Sequence, residues 1–199
     1  EPVAFTIARA NVTLSVHIAD WTYSQAASVP EVSGYGEAEQ TVDYLYNAVT
    51  VYDGTPWTNQ KEAPESAGYY SLTASVKQSA NYQAATETVY FYILRASYTL
   101  SLTLDGWTYG RAANSPVCAV SGGVSALPED AQITYYYEGT SNDGTWSAED
   151  GKPAVAGSYR VHGVTTQTAN YASVTSESVS FTIVRADYDL PGLVFGLAD

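Results

Sequence analysis

The chain has 199 residues with 21 acidic and 8 basic side chains, a net charge of −13, 45% apolar residues and a single cysteine. An acidic chain with no basic run does not hold a polyphosphate backbone, which excludes nucleic acid as a partner; no apolar stretch reaches the ~18 residues that cross a bilayer, which excludes membrane insertion. Cys118 by itself makes no internal disulfide, and the apolar content is that of a chain with a core rather than a disordered one.

Residues 1–8, EPVAFTIA, read as a strand already under way. There is no initiator methionine, basic n-region or apolar h-region, hence no signal peptide, and the expectation is of a segment cut from a longer chain. Val12, Leu14, Val16 and Ile18 then alternate with other residues at the period of two that marks a half-buried strand. Trp21-Thr22-Tyr23 follows, then a strand over Val42, Tyr44 and Tyr46, an Asp53-Gly54 turn, a strand over Tyr70, Leu72, Ala74 and Val76, and a closing strand over Val89, Phe91 and Ile93. Ser97–Leu104 repeats the opening alternation in Tyr98, Leu100, Leu102 and Leu104. After it come Trp107-Thr108-Tyr109, the strand Ile133, Tyr135 and Tyr137, an Asp143-Gly144 turn, and the closing strand Val179, Phe181 and Ile183. No segment sustains a period of 3.6, so little helix is expected.

This order is an internal repeat. FTIARA at 5–10, FYILRA at 91–96 and FTIVRA at 181–186 are spaced by 86 and 90 residues. Ala67-Gly68-Tyr69-Tyr70 recurs as Ala156-Gly157-Ser158-Tyr159, and Ser79-Ala80-Asn81-Tyr82 as Thr168-Ala169-Asn170-Tyr171. The boundaries that follow are 1–10, the closing strand of a preceding repeat or the first strand of the fragment; 11–96, repeat 1; 97–186, repeat 2; and 187–199, the start of a following repeat. About seven short strands in each copy fit an immunoglobulin-like β-sandwich, so the fold class is all-β, two tandem sandwiches. Only Arg95-Ala96-Ser97 separate the copies, without Gly or Pro, which favours an end-to-end rod. Tyr70 and Tyr159 stand where such domains carry a corner tyrosine, with Leu72 and Val161 where antibody domains have a cysteine; ordinary core tyrosines are the alternative. Trp21 and Trp107, at matching points beside strands, read as core.

The succession W-T-Y-G, tyrosine-rich strand, A-G-x-Y, A-N-Y and F-T-I-x-R-A resembles the bacterial immunoglobulin-like repeats, MBG-type and related, of large surface and adhesin-like proteins. The resemblance spans both copies; Ser24 replaces the usual glycine after W-T-Y, present as Gly110 in the second copy. It implies a secreted or wall-attached protein, hence an extracellular or cell-surface location, and a role as stalk or adhesin segment.

Chemistry is sparse. His17 and His162 are out of phase with the apolar residues beside them and are expected to face solvent. No H-E-x-x-H, G-x-S-x-G or C-x-x-C occurs, and six residues rather than four separate Gly144 from Gly151-Lys152, so no phosphate loop forms there. Cys118 has no base or cation near it in sequence and reads as a small, partly buried thiol. Asn142-Asp143-Gly144, Glu149-Asp150-Gly151 and Glu129-Asp130 offer oxygen ligands, but without calcium-loop spacing they read as turns. Of the three lysines, Lys61 and Lys152 lie in turn-rich segments and Lys77 has no equivalent in the second copy, so a shared Lys–Asn crosslink is not expected. No catalytic residue, metal or cofactor is therefore expected. Charge is spread, with net −6 in the first copy and −4 in the second. The remaining excess is aromatic: Tyr136, Trp57 and Trp146 are candidate ligand-contacting residues, able to stack on sugar rings or to pack on a protein. The reading is a non-catalytic spacer whose partners are neighbouring repeats of the same chain. The alternative is a module binding host or cell-wall glycan or protein through exposed aromatics, which a contiguous exposed aromatic patch would favour.

Overall fold

A computed structural model describes residues 2–187. The expected start of a further repeat after Asp187 lies outside the described residues. The chain divides into two compact units. The first holds the described residues up to Ser97 together with Thr168–Ala172, and the second holds Tyr98–Gln167 and the described residues from Ser173 onward.

The first unit contains β1 (Ser15–His17), β2 (Trp21–Thr22), β3 (Glu31–Ser33), β4 (Val42–Val51), β5 (Gly68–Val76) and β6 (Ala85–Leu94). β1 and β3 form one antiparallel sheet; the other has the order β2-β6-β5-β4. The alternating opening segment thus serves both sheets: Val16 pairs with Val32 in one, and Trp21 pairs in parallel with Ile93 in the other. A strand that changes sheet in this way closes a corner of a sandwich. The second unit repeats the plan with β7 (Thr99–Thr103), β8 (Trp107–Thr108), β9 (Val117–Ser121), β10 (Ile133–Ser141), β11 (Gly157–Thr165) and β12 (Val179–Val184), paired as β7-β9 and β8-β12-β11-β10. Its helical content is one 3-10 turn at Ala148–Asp150, capped by the Asp150 carboxylate accepting from the Ser147 backbone N–H and hydroxyl. Each unit is an immunoglobulin-like β-sandwich with six described strands, against the expected seven. The stretch from β4 to β5 forms bends and one isolated bridge, Gln60 to Tyr46, and the stretch from β10 to β11 forms turns and the 3-10 turn.

Both cores are built round one phenylalanine. Phe91 lies with Trp21 stacked at 4.9 Å, Tyr70 stacked at 5.7 Å and Tyr46 edge-on at 6.2 Å. Phe181 is surrounded in the same manner by Trp107 at 5.3 Å, Tyr159 at 5.6 Å and Tyr137 at 6.2 Å. Burying such a ring contributes about 1.5–3 kcal/mol, and each aromatic pair about 0.5–1.5 kcal/mol more. The alternation explains the convergence: successive inward positions of β5 (Tyr70, Leu72, Ala74, Val76) and of β6 (Phe91, Ile93) are all buried.

The N-terminal segment departs from its sequence expectation. Residues 2–9 form no strand, and Phe5 and Ile7 are each 83% exposed. The same F-x-I pattern is strand in β6 and β12, where β5 and β11 lie alongside to complete the ladder. Without such a neighbour the backbone groups have no sheet partner.

Candidate functional site

The hydroxyl of Tyr70 donates to the Ser66 carbonyl at 2.8 Å and that of Tyr159 to the Val155 carbonyl at 2.9 Å, each four residues upstream. The rings are almost wholly buried. Burial, with the Asp53 carboxylate and then Tyr52 nearby, pushes the Tyr70 phenol up to about 12; burial and Asp143 move Tyr159 in the same direction. Trp21 is buried and Trp107 half-buried, its ring 5.4 Å from the Lys152 ammonium.

Of the three candidate ligand-contacting aromatics, two point inward. Trp57 and Trp146 are half-buried and pack against the two cores, Trp146 lying edge-on to Tyr159 at 5.1 Å. Both indole N–H groups are buried and have no hydrogen-bond partner among the described residues. These tryptophans follow Asp-Gly turns whose carboxylates are engaged: Asp53 and Asp143 each accept from the backbone N–H two residues on. Tyr136 is 50% exposed, stacked on His162 at 5.4 Å. His17 is exposed and His162 half-buried beneath that ring. Cys118 is half-buried with its sulfur 3.2 Å from the Tyr135 hydroxyl. Among the described residues no three His, Cys, Asp or Glu side chains are grouped to hold a metal ion, and no helix is long and apolar enough to cross a membrane.

Two arrangements lie outside the residues picked from sequence. The first is a tyrosine stack on the outer face of the β2-β6-β5-β4 sheet. Tyr69 lies between Tyr92, at 4.5 Å, and Tyr90, at 5.7 Å, with near-parallel rings; Tyr90 and Tyr92 are exposed. Thr73 and Thr88, hydrogen-bonded through their hydroxyls, continue the face. The alternation carries half of the signal, since Tyr90 and Tyr92 are out of phase with the inward Phe91 and Ile93 and so face outward; that Tyr69 lies between them depends on the β5–β6 register.

The second arrangement joins the two ends of the repeat motif. The Ser79–Tyr82 loop is closed by its own Ser79 N–H to Tyr82 carbonyl bond at 3.0 Å. Against it lies Arg9-Ala10: Arg9 Nε donates to the Ser79 carbonyl, Ala10 N–H to the Asn81 carbonyl, and Gln83 N–H to the Ala10 carbonyl, at 2.7–2.9 Å. The same clasp recurs within the first unit between Arg95-Ala96 and the Thr168–Ala172 loop. Arg95 Nε donates to the Thr168 and Ala169 carbonyls, Ala96 N–H to the Asn170 carbonyl, and Ala172 N–H to the Ala96 carbonyl. Here the loop makes further contacts. Asn170 Oδ1 accepts from the Ala67 N–H at 2.8 Å, Tyr171 packs edge-on to Tyr23 at 5.4 Å, and the Arg95 guanidinium lies over the Tyr52 ring at 3.7 Å. The first loop is braced instead by Glu39, which accepts from Asn81 and Ser79; these bonds, Asn81's foremost, hold its carboxyl below the usual range. The arginine and the Ala-Asn-Tyr triplet were both landmarks of the repeat, but nothing in their spacing says that one binds the other.

No family model matches the chain, and no curated protein matches it. Among solved structures it is similar to the crystal structure of Drosophila N-cadherin EC1-3, at 10% identity and a TM-score of 0.27. The alignment covers 84% of this chain and 64% of that one, so the chain spans less than two thirds of that neighbour's length. The fold assignment stands on the strand pairings themselves: two immunoglobulin-like β-sandwich units in one chain.

Proposed function

We propose that this chain is a non-catalytic structural segment, a run of bacterial immunoglobulin-like repeats of the MBG type, acting as a spacer in a secreted or cell-surface adhesin-like protein. One observation carries the reading: the Arg-Ala pair that ends one motif is hydrogen-bonded to a Ser/Thr-Ala-Asn-Tyr loop, twice, through equivalent positions, with Arg95 reaching one further carbonyl. A device that occurs twice in this way is suited to tying repeats in series, and in such arrays stability resides largely in nearest-neighbour interfaces. Replacing Arg95→Ala together with Asn170→Ala tests this. Calorimetry of the parent is expected to give one unfolding transition and the double variant two, whereas Arg160→Ala, which removes a surface cation paired with Glu138, leaves one. A double variant that melts like the parent would overturn the reading.

The Tyr69, Tyr90 and Tyr92 stack favours a second reading, a binding module for glycan or protein. Flat exposed rings beside hydroxyls suit sugar faces and apolar protein surfaces alike. Binding of oligosaccharides or of a surface protein that is lost in Tyr92→Ser would move the function to that class.

A further inference from the structure

The second unit carries a third Arg-Ala pair, Arg185-Ala186, beside a cavity of about 450 Å3. Its lining is Tyr109, Asn142, Asp143, Val155, Ala156 and the segment Arg185–Asp187. Aligned on the landmarks, these residues are the counterparts of Tyr23, Tyr52, Asp53, Ser66, Ala67 and 95–97. Of that set, Tyr23, Ala67, Arg95 and Ala96 contact the clasped Thr168–Ala172 loop, and Tyr52 lies under the Arg95 guanidinium. The framework is the same in both: Tyr23 N–H donates to the Leu94 carbonyl and Tyr109 N–H to the Val184 carbonyl, each at 2.8 Å. Burial differs in the direction that occupancy predicts. Ala67 is fully buried and Arg95, Ala96 and Tyr23 are half-buried, whereas Ala156 is half-buried and Arg185, Ala186 and Tyr109 are exposed. Among the described residues, neither the Ala156 nor the Ala186 N–H has an acceptor.

We infer that this surface is a docking socket for the Ser/Thr-Ala-Asn-Tyr loop of a further repeat of the same type. The inference rests on the series reading above and names the partner of its third clasp. Ala186 N–H would donate to the loop's Asn carbonyl, Arg185 to the carbonyls of its first two residues, and Ala156 N–H to the Asn side chain. Tyr109 would take the loop's Tyr edge-on. Asn142 stands where Tyr52 stands in the first unit, so the ring that lies under the Arg95 guanidinium has no counterpart at that position.

The test is the chain with a second copy of residues 97–186 joined after Ala186, so that the junction repeats Ala96-Ser97. Amide hydrogen exchange reads Ala156 and Ala186 in both proteins. Each is expected to exchange at least about tenfold more slowly in the extended chain, as for an amide gaining one hydrogen bond. Asn170→Ala in the appended copy alone should return Ala156 to its parental rate and leave Ala186 slowed, because Ala186 meets a backbone carbonyl. If the appended copy is folded, judged by slow exchange in its own β11 counterpart, and both amides keep their parental rates, the inference is overturned. An appended copy of 11–96 offers the Ser79–Tyr82 loop as an independent occupant, and failure of both copies to fold also overturns it. Two transitions in the Arg95/Asn170 variant with unchanged Ala156 and Ala186 amides would sink this inference alone and leave the series reading standing.

Discussion

The corner tyrosines separate two contributions that a single side chain makes. The hydroxyl of Tyr70 or Tyr159 satisfies one carbonyl, while the ring fills the space beside Phe91 or Phe181. Tyr→Phe keeps the ring and removes the bond, so each change is expected to cost on the order of 1 kcal/mol. Tyr→Ala removes the ring as well and should cost about 3–5 kcal/mol. Denaturant titration of the four variants checks both figures, and Tyr→Phe variants as stable as the parent would mean that the hydroxyls contribute nothing net.

At the scale of the element, the Ala-Gly-x-Tyr start of β5 and β11 works because the glycine lies under the tyrosine. A Cβ on Gly157 would stand 2.6 Å from the Tyr159 hydroxyl and 2.4 Å from the Thr140 carbonyl oxygen. Neither neighbour is a flexible side-chain end, so Gly157→Ala should destabilise the second unit by about 1–3 kcal/mol. Gly68, whose Cβ would meet the Thr50 carbonyl oxygen at 2.7 Å, should behave likewise, and urea unfolding of both variants measures it. The turn after W-T-Y has a different demand. Gly110 has φ of 79° and Ser24 has φ of 67°, so the serine is held in the left-handed region that its counterpart enters freely.

For the whole molecule, stability against pH follows from groups whose folded pKa departs from the ordinary value. Glu39 is held low by Asn81, Asp53 by Ser66 and Asp143 by the Thr145 N–H. A carboxylate with a depressed folded pKa contributes stability above its unfolded pKa and loses it as pH falls through the folded value. Tyr70 has the opposite sign: raised to about 12, it contributes fully below the usual phenol pKa of about 10 and loses that contribution as pH rises from there to about 12. Melting temperatures across pH should hold a plateau from about 5 to 9, falling below about 4 and above about 10. Tyr70→Phe should lessen the alkaline fall, and an unchanged alkaline limb would contradict the assignment.

The repeat, most of its longer strands and their inward faces were legible in the sequence, because a period of two records which side chains leave water whatever the strand's neighbours are, whereas the short partner strands β3 and β9 were not named from it. That is why Phe91, Leu72, Tyr70 and their counterparts could be named as inward or corner residues. The half-buried place of Trp57 and Trp146 was not legible, since a tryptophan after a turn has no alternation to set its direction. Nor was the tyrosine stack, which needs β5 and β6 in register to bring Tyr69 between Tyr90 and Tyr92. The sharpest case is the F-x-I-x-R-A string itself. By itself it determines an alternating segment ending in a cation and a free backbone edge. Only the tertiary structure decides what each copy becomes: strand in β6 and β12 where a neighbour offers carbonyls and amides, no strand at residues 5–8 where none does, and clasp wherever an Ala-Asn-Tyr loop stands within reach of its arginine. Hydrogen-bond partners distant in sequence make that choice, and a local pattern carries no record of them.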